Sequence, residues 1–276
     1  MRIVTDTATL FAPVEGQEQG MTIIPVCVAI NGKTYRDYEE ITSEEFLQLI
    51  AEGGVPSSSQ PALGDILEVL EESDEEVLVL TVGDGLSGAY QTAVSARNCV
   101  EDPERVHIMN SKTLGGPLRW LAKKAVALKA QGLAIEHIKE QLHQSIESSI
   151  SFVIPADFEF LKRSGRLTSI TAKVGGVLKL LPVLTQTEDK TRIKPIAVKR
   201  SWKSAVDTIV QRLQDIGTGK DYLISVCHAD TAAKAETIRA QIRAIFSEAE
   251  TEILQLSPGL ITHGGPGCIV VQAIRK

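Results

Sequence analysis

Hydrophobic positions along the chain fall into short apolar runs that alternate with amphipathic stretches. Runs at residues 2–5, 76–82 and 222–227 predict strands, and the unbroken run at 76–82 predicts a strand buried on both faces. In residues 135–146 the apolar positions recur three and four residues apart, which predicts a helix. Because strands and helices alternate along most of the chain, we expect an α/β fold with mainly parallel sheets.

Two helices in succession interrupt this alternation near the middle of the chain. Pro117 begins the first helix, Gly132 ends it, and the second helix follows at residues 135–146 without an intervening strand. We therefore expect a domain boundary near residue 150, which divides the chain into an N-terminal α/β domain, 1–150, and a C-terminal α/β domain, 151–276.

Composition narrows the class of function. The 276 residues carry 29 basic and 35 acidic side chains, a formal net charge of −6, which argues against a general nucleic-acid-binding protein. No stretch is apolar enough to span a membrane, and the start of the chain lacks the features of a signal peptide. The four cysteines form no metal-ligand or disulfide pattern, so we expect a cytoplasmic protein without a metal site.

Residues 151–200 combine positive charge with an apolar segment. Lys162, Arg163 and Arg166 lie within five residues of one another in a predicted turn. The following segment, 174–184, is apolar except for one lysine, and we expect it to be a helix whose paired glycines, Gly175–Gly176, allow close approach. A cationic turn beside an apolar segment predicts an amphiphilic ligand with an anionic head, and 174–184 is our candidate for lining its tunnel.

Serines precede two of the predicted helices. Ser58 and Ser59 lie just before a helix at 62–72, where a serine caps the helix or holds an anion beside its free N–H groups. Ser87 follows the buried strand in Gly85-Leu86-Ser87-Gly88-Ala89, which nearly matches the nucleophile elbow of serine hydrolases. Three roles for Ser87 remain open, namely hydrolase nucleophile, anion-binding hydroxyl and helix cap.

A hydrolase also needs a base and an acid. Asp157 or Asp230, followed by His263, come in the order of the α/β-hydrolase triad, although any chain of this length offers such an order. We expect His263 to lie in an exposed loop among glycines and to change its charge near neutral pH. Arg166 and Arg200 border the apolar segment and are candidates for flanking one opening.

The chain resembles the DegV family, which includes the fatty-acid-binding subunits of bacterial fatty acid kinase. The resemblance covers nearly the whole chain, and its segments are specific in their order and spacing. They are Val4–Thr7, Ser58–Pro61, Leu86–Gln91, Asn110–Ser111, Phe158–Leu167 and His263–Gly267.

The resemblance implies a definite architecture and ligand. It implies an N-terminal three-layer α/β/α domain with a parallel sheet and a C-terminal two-layer α/β domain with a mixed sheet. A long-chain fatty acid lies between the domains. Its carboxylate is bound by the hydroxyls at positions 58 and 87, so Ser58, Ser87 and the adjoining Ser59 and Gly88 are the predicted carboxylate site, with His263 beside it.

The resemblance also implies a partner. Arg166, Arg200 and His263 are tied to a separate fatty acid kinase subunit of the dihydroxyacetone-kinase type and to phosphoryl transfer. That kinase brings ATP and magnesium and converts the carboxylate to an acyl-phosphate for phospholipid synthesis. The protein itself is then not an enzyme, needs no cofactor and does not insert into membranes.

Several residues depart from the family pattern, which leaves alternatives to the carrier. Ser58 replaces the usual threonine of the family, Asn110 replaces an aspartate and Ser164 replaces a glycine. Leu181 occupies a position where the family often has lysine. The carboxylate site looks intact, whereas the partner surface departs more. The alternatives are a serine esterase that uses Ser87 and His263, and a regulatory protein without a ligand.

Overall fold

A computed structural model describes residues 1–167 and 180–276. Within these residues the strands are β1 (Arg2–Asp6), β2 (Thr22–Ile24), β3 (Cys27–Ile30), β4 (Lys33–Arg36), β5 (Ser57–Ser59), β6 (Val77–Thr81), β7 (Val106–Asn110), β8 (Ile150–Ile154), β9 (Leu181–Gln186), β10 (Ile193–Lys199), β11 (Tyr222–His228), β12 (Glu250–Gln255) and β13 (Ile269–Arg275). The helices are α1 (Pro13–Glu18), α2 (Ser43–Ala51), α3 (Leu63–Glu71), α4 (Ala89–Arg97), α5 (Gly116–Ala130), α6 (Ile135–Ser148), α7 (Phe158–Ser164), α8 (Trp202–Asp215), α9 (Ala232–Ile245) and α10 (Pro258–Gly264).

The first sheet is parallel and is covered by helices on both faces. Its strand order is β2-β1-β6-β7, and all its pairings are parallel. Every residue of β6 is buried, as its unbroken apolar run predicts. Leu78 and Leu80 pack with α5 and α6 on one face, whereas Val77 and Val79 pack with α3 and α4 on the other. The predicted three-layer α/β/α arrangement is confirmed.

A small antiparallel sheet, in the order β4-β3-β5, adjoins the first. Asn31–Gly32 forms the β3–β4 turn, with φ of 52° and 77°, as the turn-forming pair predicts. Ser57–Ser59 pairs with β3 as β5, so of the two roles open for Ser58 and Ser59, helix cap or anion binding, the cap is excluded. Ala62 stands at the N-cap of α3, and its side chain makes no capping hydrogen bond. The pairing with β3 takes the serines away from the helix end.

The third sheet has six strands in the order β10-β9-β8-β13-β11-β12 and is mixed. Only β11 and β12 pair in parallel, so the expectation of mainly parallel sheets fails here, whereas the mixed sheet implied by the resemblance is confirmed. The reason is connectivity, because β9 and β10 are joined by a short turn that leaves no room for a crossover helix. Helices α8 and α9 cover one face.

Helices α5 and α6 follow each other without a strand, as expected, and α5 lies between the two larger sheets. It contacts β1 of the parallel sheet and both β11 and β13 of the mixed sheet. Ile150 then begins β8, the first strand of the mixed sheet. The division into domains 1–150 and 151–276 stays a prediction, since α5 packs against both sheets.

The apolar segment after the cationic turn is described only in part. Gly165 has a φ of 69° and ends α7, so the predicted turn is present. Residues 181–184 belong to strand β9, not to the expected helix, and Gly175–Gly176 lie outside the described residues. Among the described helices, none has the length and apolar character needed to cross a membrane.

Candidate functional site

Two adjoining cavities lie where the connections of the parallel sheet face the mixed sheet. The polar chamber is lined by Ser58, Ser59, Gln60, Ser87, Ser257 and Gly259, among others. The apolar chamber is lined by side chains such as Val153, Leu161, Leu256, Cys268 and Val270. The two share the lining residues Leu86, Leu114, Arg166, Leu260 and His263. The apolar chamber has about 750 Å³ of space between protein atoms, including the part open to solvent.

Four separate parts of the chain bring the predicted site residues together at the polar chamber. Ser58 comes from β5, and Ser87 from the turn between β6 and α4. Arg166 follows α7, and His263 lies in the last turn of α10. Ser59 also lines this chamber. The fold therefore collects hydroxyls, an imidazole and a guanidinium around one opening into an apolar cavity.

Ser58 and His263 are joined by a hydrogen bond of 3.0 Å between Oγ and Nε2. The other ring nitrogen, Nδ1, is buried without a partner in the described residues. Burial, and to a smaller extent the charge of Arg166, lower the pKa of His263 from 6.5 to about 4. The imidazole is therefore neutral at neutral pH.

This corrects the expectation for His263. The residue lies in the helix Pro258–Gly264, not in an exposed loop. Its ring faces the chamber, so part of its surface is accessible, but protein atoms surround it deeply enough to disfavour the charged form. It does not titrate near neutral pH.

The turn that carries Ser87 is built as a helix start. Ser87 Oγ accepts a hydrogen bond of 3.2 Å from the Ala89 N–H, which leaves its own O–H available to donate. Gly88 stands at the N-cap of α4, where the side chain of Gln60 would lie 3.1 Å from an added Cβ. The close approach of Gln60 to Gly88 joins β5 and this turn into one wall of the polar chamber.

The geometry does not assemble a hydrolase triad. His263 bonds to Ser58 and not to Ser87, and Ser87 is absent from the described residues with positive φ, the strained conformation of a nucleophile elbow. Asp157 caps α7 by accepting the Glu159 N–H at 2.9 Å, and Asp230 is exposed. No described hydrogen bond joins either aspartate to His263, so the order of residues along the chain was not informative.

Arg166 supplies the positive charge of the site. Its guanidinium donates to the carbonyls of Leu86, at 3.1 Å, and Ser164, and burial lowers its pKa. No carboxylate in residues 1–167 or 180–276 forms a salt bridge with it. A half-buried cation without a counter-ion favours binding of an anion, because desolvation without pairing is costly.

Arg200 does not join this group. It is exposed in the connection between β10 and α8 and lines neither chamber. The expectation that Arg166 and Arg200 flank one opening is therefore not met. Apolar residues 181–184 likewise do not line either chamber, although the following strand end, Thr185–Gln186, lines the apolar one.

A buried carboxyl, which no sequence pattern singled out, anchors α10. Asp37, after β4, accepts a hydrogen bond of 2.8 Å from Thr7 Oγ1. Burial raises its pKa to about 7, against hydrogen bonds from Thr7, Ser257 and the Gly259 N–H that lower it. The small sheet thus holds both ends of α10, through Asp37 at Gly259 and through Ser58 at His263. An Asp after a strand is too common to single out from sequence.

The described residues offer no metal site. No group of three or more histidine, cysteine, aspartate or glutamate side chains among them is arranged to hold a metal ion. The four cysteines are free thiols, and Cys268 faces the apolar chamber with a pKa raised to about 12 by burial. The chemistry that the arrangement supports is recognition of an anion attached to an apolar body.

A parallel three-layer α/β unit, a mixed α/β sheet and a polar-to-apolar cavity between them are the features of an α/β protein built to hold an anion attached to an apolar body. Comparison with known proteins then gives the family. A sequence model of the DegV family matches residues 1–276. The chain belongs to the DegV family.

Relatives and solved structures agree with this assignment. A DegV domain-containing protein of Caldanaerobacter subterraneus is 29% identical over 272 residues, which cover 96% of this chain and 95% of the relative. A DegV family protein from Thermus thermophilus, described as fatty acid binding, matches with a TM-score of 0.88 at 28% identity over 100% of both chains. DegV from Bacillus subtilis, described as a fatty acid binding protein, matches with a TM-score of 0.87 at 24% identity, over 100% of this chain and 99% of that one. This last likeness is evidence for the fold alone.

Proposed function

We propose that this protein binds a long-chain fatty acid, with its carboxylate in the polar chamber and its acyl chain in the apolar chamber. The observation that carries the proposal is the pairing of these chambers around Arg166. Arg166, which has no carboxylate partner among the described residues, stands where the polar chamber opens into the apolar chamber. A fatty acid has one anionic end and a long apolar body, which is the form that this pairing of chambers accommodates.

The carboxylate end is held by hydrogen bonds and charge. Ser58 and Ser87 donate their hydroxyls to the carboxylate, and Arg166 compensates its charge. The Ser58 hydroxyl can donate to the carboxylate only if its oxygen accepts the hydrogen bond from His263. His263 must therefore carry its proton on Nε2, the nitrogen that bonds to Ser58 Oγ. Neutral His263 thus orients the hydroxyl. Ser59 and Gly88 shape the same wall.

The acyl chain supplies most of the affinity. Each buried methylene contributes about 0.8 kcal/mol, so a long chain binds tightly even after the ordering of the ligand is counted. The Thermus relative, whose description states fatty acid binding, supports the proposal because it is 28% identical over the whole chain.

We further propose that the bound carboxylate is presented to a separate kinase of the dihydroxyacetone-kinase type. A carboxylate oxygen attacks the γ-phosphorus of ATP, the bond to ADP breaks, and an acyl-phosphate forms. ATP and magnesium belong to the kinase, so this protein is a non-catalytic subunit that needs no cofactor of its own. Arg166 borders the chamber and exposed Arg200 is a contact for the partner. Since ATP is a cytoplasmic substrate, we place the pair in the cytoplasm.

Calorimetric titration with palmitate and oleate tests the binding step. We expect binding by the wild type, weaker binding by Ser87→Ala, and wild-type binding by Ser95→Ala. Ser95 is an exposed serine of the helix that follows Ser87, α4, and among the described residues its hydroxyl bonds to the carbonyl of Gln91 alone. If neither acid binds the wild type, the proposal is wrong, and the alternative of a regulatory protein without a ligand is favoured. Labelling of Ser87 by a fluorophosphonate would instead favour an esterase.

A further inference from the structure

A surface groove adjoins the apolar chamber on the side away from the polar chamber. This groove, called the distal groove here, lies between the end of α6, the turn after β9 and helix α8. It is lined by Glu147, Thr187, Lys194, Ile196, Arg212 and Ile216, among others. Thr185 and Gln186 line both the groove and the apolar chamber, but not the polar chamber. The end of β9 therefore separates the two spaces.

Gln186 faces the apolar chamber. It pairs in the sheet with Ile193, which also lines that chamber, whereas Thr185 pairs with Phe152 on the opposite face, where α8 packs. Successive residues of a strand point to opposite faces, so Gln186 is the side chain that stands on the chamber side at the strand's last position.

The side chain of Gln186 bridges the gap between β9 and the chain after β7. Its Nε2 donates to the carbonyl of Lys112 at 2.9 Å and to that of Lys190 at 3.4 Å. The Nζ of Lys112 binds Glu147, which lines the distal groove, at 2.7 Å. Gln186, which lines both spaces, thus stands between the apolar chamber and the groove.

The surroundings of Gln186 are fixed by hydrogen bonds. Lys190 Nζ donates to the carbonyls of Ile146 and Glu147 and to Ser149 Oγ, at 2.8 to 3.3 Å. The turn after β9 is closed by a bond of 2.8 Å from the Thr187 N–H to the Arg192 carbonyl. A wall held in this way does not yield readily to a longer ligand.

We propose that Gln186 is a specificity-determining residue that closes the apolar chamber and limits the length of the acyl chain. The inference rests on the proposed function, because it presupposes an acyl chain in the chamber. Without the bulk of this side chain, the end of the acyl chain enters the distal groove, whose floor includes the apolar side chains Phe152, Ile196 and Ile216. A longer fatty acid then buries methylenes in the groove that it cannot bury in the wild-type protein.

A competition among straight-chain saturated fatty acids that differ by two carbons tests this. The acids are mixed in equal amounts with the protein, and the retained acids are read by native mass spectrometry. For the wild type we expect retention to rise about fourfold per methylene up to a limiting length and then to fall. For Gln186→Ala we expect a limit at least two carbons longer, with the first excluded acid gaining about tenfold or more in relative retention.

Gln186→Leu is the matched control, because it removes the amide but keeps the bulk of the side chain. We expect it to keep the wild-type limit. If Gln186→Ala does not fold, Gln186→Thr opens the same gap with a residue suited to a strand, and the same shift is expected. An unchanged limit in the folded small variant, or no limit in the wild type, overturns the inference. A wild type that retains no acid at all overturns the proposed function instead.

Discussion

Ser58 and His263, 205 positions apart, meet through a hydrogen bond of 3.0 Å between Oγ and Nε2 at the polar chamber. The bond links the small sheet to the last turn of α10, and Asp37 links the same sheet to the first turn. Because Ser58 has one O–H, the proton on His263 decides whether that hydroxyl serves the ligand or the ring.

Replacing Ser58 by alanine removes a hydroxyl donor to the carboxylate. A hydrogen bond to a charged group contributes about 1.5–3 kcal/mol, so Ser58→Ala weakens fatty acid binding by about tenfold or more. Titration calorimetry with palmitate measures the change. Ser57→Ala is the control, since Ser57 is exposed on the same strand and lines neither chamber. Equal affinities of the two variants would exclude Ser58 from the carboxylate site.

Arg166 compensates the charge of the carboxylate and repels a proton from His263. Arg166→Met keeps much of the apolar stem and removes the charge, and we expect affinity for palmitate to fall by about tenfold or more. We also expect the pKa of His263, followed by NMR of the ring, to rise from about 4.

Arg163→Met is the control for this substitution. Arg163 is exposed on α7 and stacks on Phe160, with 4.6 Å from the guanidinium carbon to the ring centroid. Arg163→Met should leave both the affinity for palmitate and the pKa of His263 unchanged. A pKa of His263 that does not respond to Arg166→Met would contradict the electrostatic coupling.

The low pKa of His263 makes the protein less stable in acid. The folded-state pKa of about 4 lies below the ordinary value of 6.5, so the unfolded chain binds more protons between these values. Stability is therefore full above pH 6.5 and is lost as the pH falls towards 4. As the pH falls from 7 to 5, the low pKa of His263 lowers the free energy of unfolding by about 2 kcal/mol.

Comparison with His263→Gln isolates this contribution. Burial raises the pKa values of Asp6 and Asp37 to about 6 and about 7, so these two groups make the protein more stable as the pH falls. Their effect cancels in the comparison because both proteins contain them. Urea unfolding at the two pH values should show a smaller acid-induced loss for the variant, by about 2 kcal/mol. The same loss in both proteins would mean that His263 titrates normally.

Gly265, directly after α10, requires the absence of a side chain. Its φ of 71° with ψ of 169° is a conformation open essentially to glycine, and an added Cβ would lie 2.6 Å from the Phe160 ring. Gly265→Ala should lower the unfolding free energy by about 2 kcal/mol or more. Gly64→Ala, in α3 with no neighbour within 4 Å of the added Cβ, should instead raise it by up to about 1 kcal/mol. Thermal unfolding compares them, and similar shifts would contradict this account.

The sequence predicted the parts of the fold that local pattern controls. The buried strand β6 follows from an unbroken apolar run, and α6 follows from apolar spacing that places Ile138, Leu142 and Ile146 in the core. Pairing between distant segments is not local. Ser57–Ser59 became a strand because β3 pairs with it, and the turn after β9 made that part of the third sheet antiparallel.

The candidate site was predictable by resemblance more than by pattern. Ser87 carries a local signal, since it follows a buried strand and precedes a helix. The meeting of Ser58 with His263 depends on the whole fold. Glycines around His263 suggested a loop, although Ser257 and Pro258 are ordinary helix-start residues and do begin α10. Asp37 and Gln186 carry no sequence signal that separates them from ordinary polar residues.

The most direct test of the central claim is native mass spectrometry of the protein as purified from its host, followed by extraction and identification of lipid. The account predicts a bound mass equal to that of a long-chain fatty acid in the wild type and in Ser95→Ala, and its loss or depletion in Ser87→Ala. A bare wild-type protein that also takes up no added palmitate or oleate would contradict the account.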